Sequence, residues 1–319
     1  MTAHDREPLD VPTEAPSPPR SAGAELDLLG EPEPVARTQW ALFRRRFWRH
    51  RMAVAATVVL GLIVAACLAA SWLAPYEQNE QDLLLGAEPP SLGHWFGTDE
   101  LGRDQLTEIL FAGQISLKIG LAVALISTVV GAALGAAAGY TGRWVDQLLM
   151  RVTDLFLVVP AIAILAIAIK KFGNNDLTVI LVLAGLGWMY IARIVRGQVL
   201  ALKEKEFVEA ARAAGATGRR VIVRHILPNA IGPILVNATL SVAAAIVIES
   251  TLSFLGLGIQ PPQTSWGRML SDARGYVGTD SAHLIYFPGL ALLVVVLCVN
   301  FIGDGLRDAL DPTQRRIRA

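Results

Sequence analysis

The amino-acid sequence predicts an all-α polytopic membrane protein with six transmembrane helices and a short cytoplasmic helix between the fourth and fifth. Three observations carry that expectation. Hydrophobic residues make up 53% of the 319-residue chain and charged residues 18%, with a mean hydropathy of +0.46, too apolar for an ordinary soluble domain. Six stretches are long and apolar enough to cross a hydrocarbon core about 30 Å thick, which takes ~20 helical residues. Lys and Arg are divided very unevenly between alternate loops, as cytoplasmic and outer segments require.

The six spans are 52–74, 115–139, 148–169, 177–194, 230–257 and 284–303. The first has no charge. The second is broken only by Lys118, which is expected to snorkel outward. The third contains Pro160 and the pair Arg151 and Asp154, whose i,i+3 spacing suits a structural ion pair. The fourth is clean until Arg193, and the fifth carries one charge, Glu249. With the N-terminus inside, cytoplasmic segments hold 20 of the 28 basic residues and outer loops five, the other three (Lys118, Arg151 and Arg193) lying inside spans. Both termini are therefore expected in the cytoplasm. An odd number of spans would put the Arg315, Arg316, Arg318 tail outside, against that rule.

The organisation read from composition is a disordered cytoplasmic tail over 1–36, then an N-terminal arm, first span and outer loop over 37–114. A core with five spans follows over 115–312, and a basic tail over 313–319. The first tail holds seven of the 17 prolines and eight acidic against two basic residues, a composition that cannot build a core. A net charge of zero gives no field for nucleic acid. Cys67 and Cys298 lie in apolar runs and make neither a disulfide framework nor a metal cluster.

The loop between spans four and five carries most of the functional signal. Residues 202–214 favour helix, with Phe207, Ala210, Ala211 and Ala214 on one stripe at i, i+3, i+4 and i+7. Gly215 is a natural stop with positive φ. A second short helix over 219–226 follows, and Pro228 suits the first turn of span five. A face of alanines permits close approach by another protein, with Glu209 beside it. The same helix could instead rest on lipid headgroups, with Glu209 paired to Arg212 or Lys205, although alanine is a poor anchor there.

Glu209-Ala210-Ala211, then Gly215, then Leu227-Pro228 resembles the EAA loop of binding-protein-dependent ABC importer permeases. His225-Ile226-Leu227-Pro228-Asn229 resembles the dipeptide, oligopeptide and nickel branch. The segments Gly97-Thr98-Asp99, Gly102-Arg103-Asp104, 253–258, Trp266-Gly267 and 303–312 agree with it. Gln114 departs from the pattern, where relatives often have arginine. The resemblance covers about residues 44–316. It implies one of two similar permease subunits in a bacterial-type cytoplasmic membrane. Two cytoplasmic ATPases would bind ATP and Mg and receive the loop helix, and an extracytoplasmic binding protein would deliver di- or oligopeptides, nickel or another small solute. In that frame Phe207, Glu209, Ala210, Ala211, Gly215, Leu227 and Pro228 serve ATPase coupling.

Glu249, about eight residues from the outer end of span five, is either a residue lining the pathway, part of a structural pair, or a group near the outer headgroups. Asp304, Arg307 and Asp308 are expected to fix the last span's inner end by ion pairing. The 97–104 segment reads as two glycine turns with solvated acids, since it lacks an EF-hand's spacing. No G-x-x-x-x-G-K-[ST], H-E-x-x-H or G-x-S-x-G occurs, so the chain is expected to be a transport subunit with no cofactor of its own. An ion-coupled secondary transporter is the rival from another class, and a membrane enzyme a second.

Overall fold

The computed structural model describes residues 39–310; the expected tails over 1–36 and 313–319, with Arg315, Arg316 and Arg318, lie outside them. Apart from one isolated bridge between Thr98 and Asp104, the regular structure among the described residues is helical. Helix α1 spans Gln39–Arg49. Helix α2, Arg51–Leu68, is opened by His50, whose Nδ1 accepts the Ala53 N–H at 3.1 Å. The first span then breaks at Ala69 and resumes as α3, Ala70–Leu73, so it is not the single helix to residue 74 that hydropathy implies. Gln114, the residue that departs from the resemblance, donates to the Cys67 carbonyl next to that break at 2.7 Å.

The second span is α4, Gln105–Thr141. It starts ten residues before its apolar stretch because Asp104 caps it, accepting from the N–H and hydroxyl of Thr107 at 2.8 Å. The third crossing is two helices, α5 (Arg143–Val158) and α6 (Ala161–Phe172), bent by 84°. Val159 and Pro160 are both extended, with ψ of 128° and 119°. Proline has no N–H to continue a helix, and its ring disfavours helical geometry in the residue before it. Span four is α7, Asp176–Leu202. Span five is a continuous run, Gly218–Phe254, formed by α9 (Gly218–Val221), a π turn (Ile222–Ile226) and α10 (Leu227–Phe254). The expected separate helix over 219–226 is thus the beginning of the span itself. Helix α11, Trp266–Asp272, and a 3₁₀ turn, Ala273–Tyr276, precede span six, α12, His283–Leu310. Five helices are each long and apolar enough to cross a membrane alone, and the count is six if the bent pair is one span.

The closest helix pair is α4 against α7. Lipid tails are as apolar as leucine, so packing density rather than water exclusion must hold such helices together. Gly131, Gly135 and Gly139 recur every four residues on α4. A Cβ added at these positions would lie 2.6 Å from the Trp188 carbonyl oxygen, 2.3 Å from that of Ala192 and 2.9 Å from that of Arg196. The backbones meet where no side chain fits. Gly135→Leu is expected to destabilise the protein by at least ~3 kcal/mol, the upper part of the usual overpacking range. It should also reduce the yield of detergent-stable protein in size-exclusion chromatography; a variant as stable as wild type would contradict this packing.

The ion pairs of the spans join different helices rather than residues of one helix. Arg196 of α7 binds Asp146 of α5 through both its Nε and a terminal nitrogen, and Arg193 reaches Asp154 and the Thr153 hydroxyl. The expected Arg151–Asp154 pair is therefore replaced by a partner 39 residues away, which no local spacing reveals. Lys118 does not snorkel freely but bonds Asp176, at the start of α7. At the end of the last span Asp308 faces His50 at 3.6 Å. Pro288 inside α12 leaves the Leu284 carbonyl without its helical donor, and the buried Gln105 side chain supplies one at 3.3 Å.

Candidate functional site

Two polar constructions stand at opposite ends of span five. At its beginning, α7 ends at Leu202, the chain turns, and Lys205 is extended (φ −87°, ψ 146°). Helix α8 then runs only over Glu206–Ala213, about 12 Å at 1.5 Å per residue, shorter than the helix from Leu202 that propensity favours. Glu206 and Glu209 occupy its first turn and Arg212 its last, each matching the helix dipole. Gly215 ends it with φ +80°. The Gly215 N–H donates to the Arg212 carbonyl and the Ala216 N–H to that of Ala211, at 2.9 and 3.0 Å. That is a Schellman cap, which needs a residue at home in the left-handed region.

The expected stripe divides. Val208, outside the stripe, is fully buried, and Ala211 packs inward with Tyr140, Leu202 and Leu227 around Val199, Val221 and Ile226. Arg212 lies over the Tyr140 ring at 5.3 Å. Phe207, Glu209, Ala210, Ala214 and Gly215 remain exposed. The helix is thus seated by Val208 and Ala211 and presents Phe207, Glu209 and Ala210 outward. Pro228, also exposed, follows the π turn, whose Leu227 N–H bonds the Ile222 carbonyl. The wider turn accommodates a residue that has no N–H to give and whose ring would crowd the preceding turn.

Glu249 lies 22 residues beyond Leu227, about 33 Å by helix rise. It is fully buried. Its Oε1 accepts from the hydroxyls of Ser253 at 2.7 Å and Ser265 at 2.8 Å, and its Oε2 from Ser116 and Ser250, both at 3.4 Å. Three of these serines are themselves acceptors. The N–H groups of Ile259, Arg268 and Trp266 donate to Ser253, Ser265 and Ser116 at 3.1, 3.2 and 3.2 Å. Backbone donors from the segment after span five thus pass through hydroxyls to one carboxylate, joining α4, α10 and the start of α11. Fully buried Trp266 completes the junction, donating from its indole to the Ile109 carbonyl at 3.0 Å. A Cβ on Gly258 would lie 1.9 Å from the Ser253 hydroxyl, and one on Gly267 2.4 Å from the Ser250 Cα. The glycines of the 253–258 and Trp266-Gly267 segments let the backbone close over the carboxylate.

Of the 97–104 acids, Glu100 is exposed as expected, but Asp99 and Asp104 are not free in solvent. Asp104 is buried, caps α4 and contacts His94 Nδ1 at 3.0 Å. Asp99 accepts from the N–H groups of Leu101 and Arg103 and pairs with the Arg103 guanidinium at 2.6 Å. Burial alone would lower the Arg103 pKa, but Asp99, with Glu108 and Asp272 further off, holds it above the ordinary value. Thr98 is buried and holds the loop to the Gly86 carbonyl at 2.6 Å and to the Glu88 N–H at 2.9 Å. This segment is a folded cover over the start of α4.

Residues 131–316 match the family described as binding-protein-dependent transport system inner membrane component. The chain belongs to that family. It is a permease subunit of an ABC importer, a multi-pass membrane component that carries out transport rather than covalent catalysis. Residues 38–90 match the N-terminal transmembrane domain of oligopeptide transport permease C. The permease is 44% identical to the oligopeptide transport system permease protein OppC of Mycobacterium tuberculosis strain H37Rv, over 86% of this chain and 94% of that one. It is 40% identical to the glutathione transport system permease protein GsiD of Escherichia coli O6:K15:H31, over 92% and 96%. Its fold is shared with a chain of the inward-facing MetNI methionine ABC transporter, with a TM-score of 0.53 and 22% identity over 65% of this chain and 97% of that one.

The sequence marks the short helix and its Gly215 stop but not what seats them. Val208 falls outside the alanine stripe and gives no signal of its own. Around Glu249, only Ser253, four residues on, stands at a spacing that marks a same-face partner; Ser116 and Ser265 are brought in by tertiary packing.

Proposed function

We propose that this permease imports oligopeptides in an ATP-driven complex with a second, homologous permease, two cytoplasmic ATPases that bind ATP and Mg, and an extracytoplasmic binding protein. The substrate reading rests on the OppC and GsiD relatives, whose names specify oligopeptides and glutathione. Helix α8 carries the coupling reading. It is a short helix seated by buried Val208 and fixed by a Schellman cap, with Phe207, Glu209 and Ala210 exposed together. Such a knob can transmit force from an ATPase groove to span five. Gly215 sets its exit, and Leu227 and Pro228 join it to the span. Both termini and α8 face the cytoplasm, an orientation supported by the division of basic residues, so the 74–104 loop and the Glu249 junction are extracytoplasmic. Residues 37–114 then form the arm, first span and outer loop, and 115–312 the permease core. The buried, serine-ringed Glu249 serves as an outer structural junction rather than as a pathway-lining group.

The test is isolation of the tagged chain from its native membrane in mild detergent, followed by reconstitution. The expected result is recovery of a second permease and P-loop ATPases, with ATP-dependent uptake of a labelled tripeptide when binding protein is added. Recovery of this chain alone, active in a proton or sodium gradient, would overturn the importer reading. ATP-dependent nickel uptake without peptide uptake would overturn the substrate.

A further inference from the structure

A cavity of about 740 Å³ opens between the 74–104 loop, the start of α4 and the 261–274 segment. That volume lies within the rough 300–1,000 Å³ range of small-molecule sites. Four carboxylates line it, Asp99, Glu100, Glu108 and Asp272, against the three guanidiniums of Arg103, Arg268 and Arg274. The lining therefore carries one excess negative charge. Two of the three cations are already engaged. Arg103 pairs with Asp99 at 2.6 Å, and Arg268 donates to Asp272 at 3.0 Å and to Gln260 at 2.8 Å.

Glu108 is placed differently. It is only 2% exposed. Its Oε1 accepts the Asn79 N–H at 2.9 Å, while its Oε2 has no hydrogen-bond partner among the described residues. A buried carboxylate oxygen without a donor is costly, and acceptor-only chemistry calls for an N–H group. The excess negative charge in the lining favours a donor that brings positive charge, because charge-assisted hydrogen bonds are the strong ones. Gln263 and Thr264 supply neutral polar groups to the rest of the cavity wall.

We propose that this cavity binds a small organic cation, whose ammonium or guanidinium group donates to Glu108. The site stands on this geometry and does not depend on the peptide reading. In the orientation proposed above it opens to the extracytoplasmic side, where a solute meets the permease before any span.

The test uses the complete transporter in lipid nanodiscs without its binding protein. Binding of N-acetyl-arginine amide is compared by equilibrium dialysis with that of N-acetyl-citrulline amide, a neutral molecule of nearly the same shape. Saturable binding of the arginine compound, at least ten-fold tighter than the citrulline compound, is expected. Glu108→Gln keeps an acceptor for Asn79 and should weaken arginine binding at least ten-fold. Gln81→Trp, at the exposed mouth, should block it without altering the junction below. Equal binding of the two compounds, binding indifferent to both substitutions, or no binding would overturn the proposal. Loss of binding-protein docking in Glu108→Gln, with neither probe bound by wild type, would assign the cavity to a basic side chain of that protein and overturn it equally. The comparison of the two probes on wild type needs no variant to fold.

Discussion

Glu249→Ala should destabilise the permease by at least ~3 kcal/mol, since buried donors left without an acceptor cost roughly 1–3 kcal/mol each. Four serine hydroxyls point at the carboxylate, and three of them already accept a backbone N–H. Without the carboxylate, those three hydroxyl protons lose their acceptor while the lone pairs remain committed. Glu249→Gln should be milder. Its amide oxygen can keep the 2.7 and 2.8 Å contacts from Ser253 and Ser265, leaving the NH₂ group on the side of the two 3.4 Å contacts. Thermal unfolding in detergent gives the order wild type, Gln, Ala, and limited proteolysis should find the 255–265 segment opened in the alanine variant. A pathway-lining role makes the opposite prediction: altered KM for substrate with unchanged stability.

Ala210→Trp should reduce ATP-dependent uptake at least ten-fold while leaving stability within about 0.5 kcal/mol, as for a surface change away from special features. Ala210 is exposed on α8 beside Phe207 and Glu209, so a large side chain there obstructs docking without entering the core. Ala211→Trp is a poorer probe, because Ala211 packs inward with Tyr140 and Leu202 and its enlargement unseats the helix. Gly215→Pro should lose both coupling and the local cap. Proline fixes φ near −65°, whereas Gly215 stands at +80° and its N–H is bonded to Arg212. Uptake, peptide-stimulated ATP hydrolysis and co-purification of the ATPases are the readouts. Wild-type uptake by Ala210→Trp would refute the docking face.

The crossings were legible because apolar length is a local property, and the loop because its glycine and alanines act through neighbours in sequence. Gly215 announces its own positive φ. The parts that were not legible depend on distant partners. Arg193 takes Asp154 from Arg151 across 39 residues, and Asp104 and Asp99 look solvated until the His94 ring and the Arg103 side chain fold over them. The Gly131, Gly135 and Gly139 repeat was a readable signal of close helix approach, obscured by the alanines around it. Pro160 inside span three was visible, but the 84° turn it permits is set by what α5 and α6 pack against.

Span five joins both constructions in a single rod of 37 residues, Gly218–Phe254, about 55 Å long at 1.5 Å per residue. Its weak points, the π turn at Ile222–Ile226 and Pro233, all lie in the first half, near α8. Beyond Pro233 the helix has no such joint. Rotation introduced at the α8 end can be taken up as flexure only over the first few turns. In the proposed coupling, the remaining length would act as a drive shaft, delivering torsion to the far end, where the serine ring grips it like a keyed coupling.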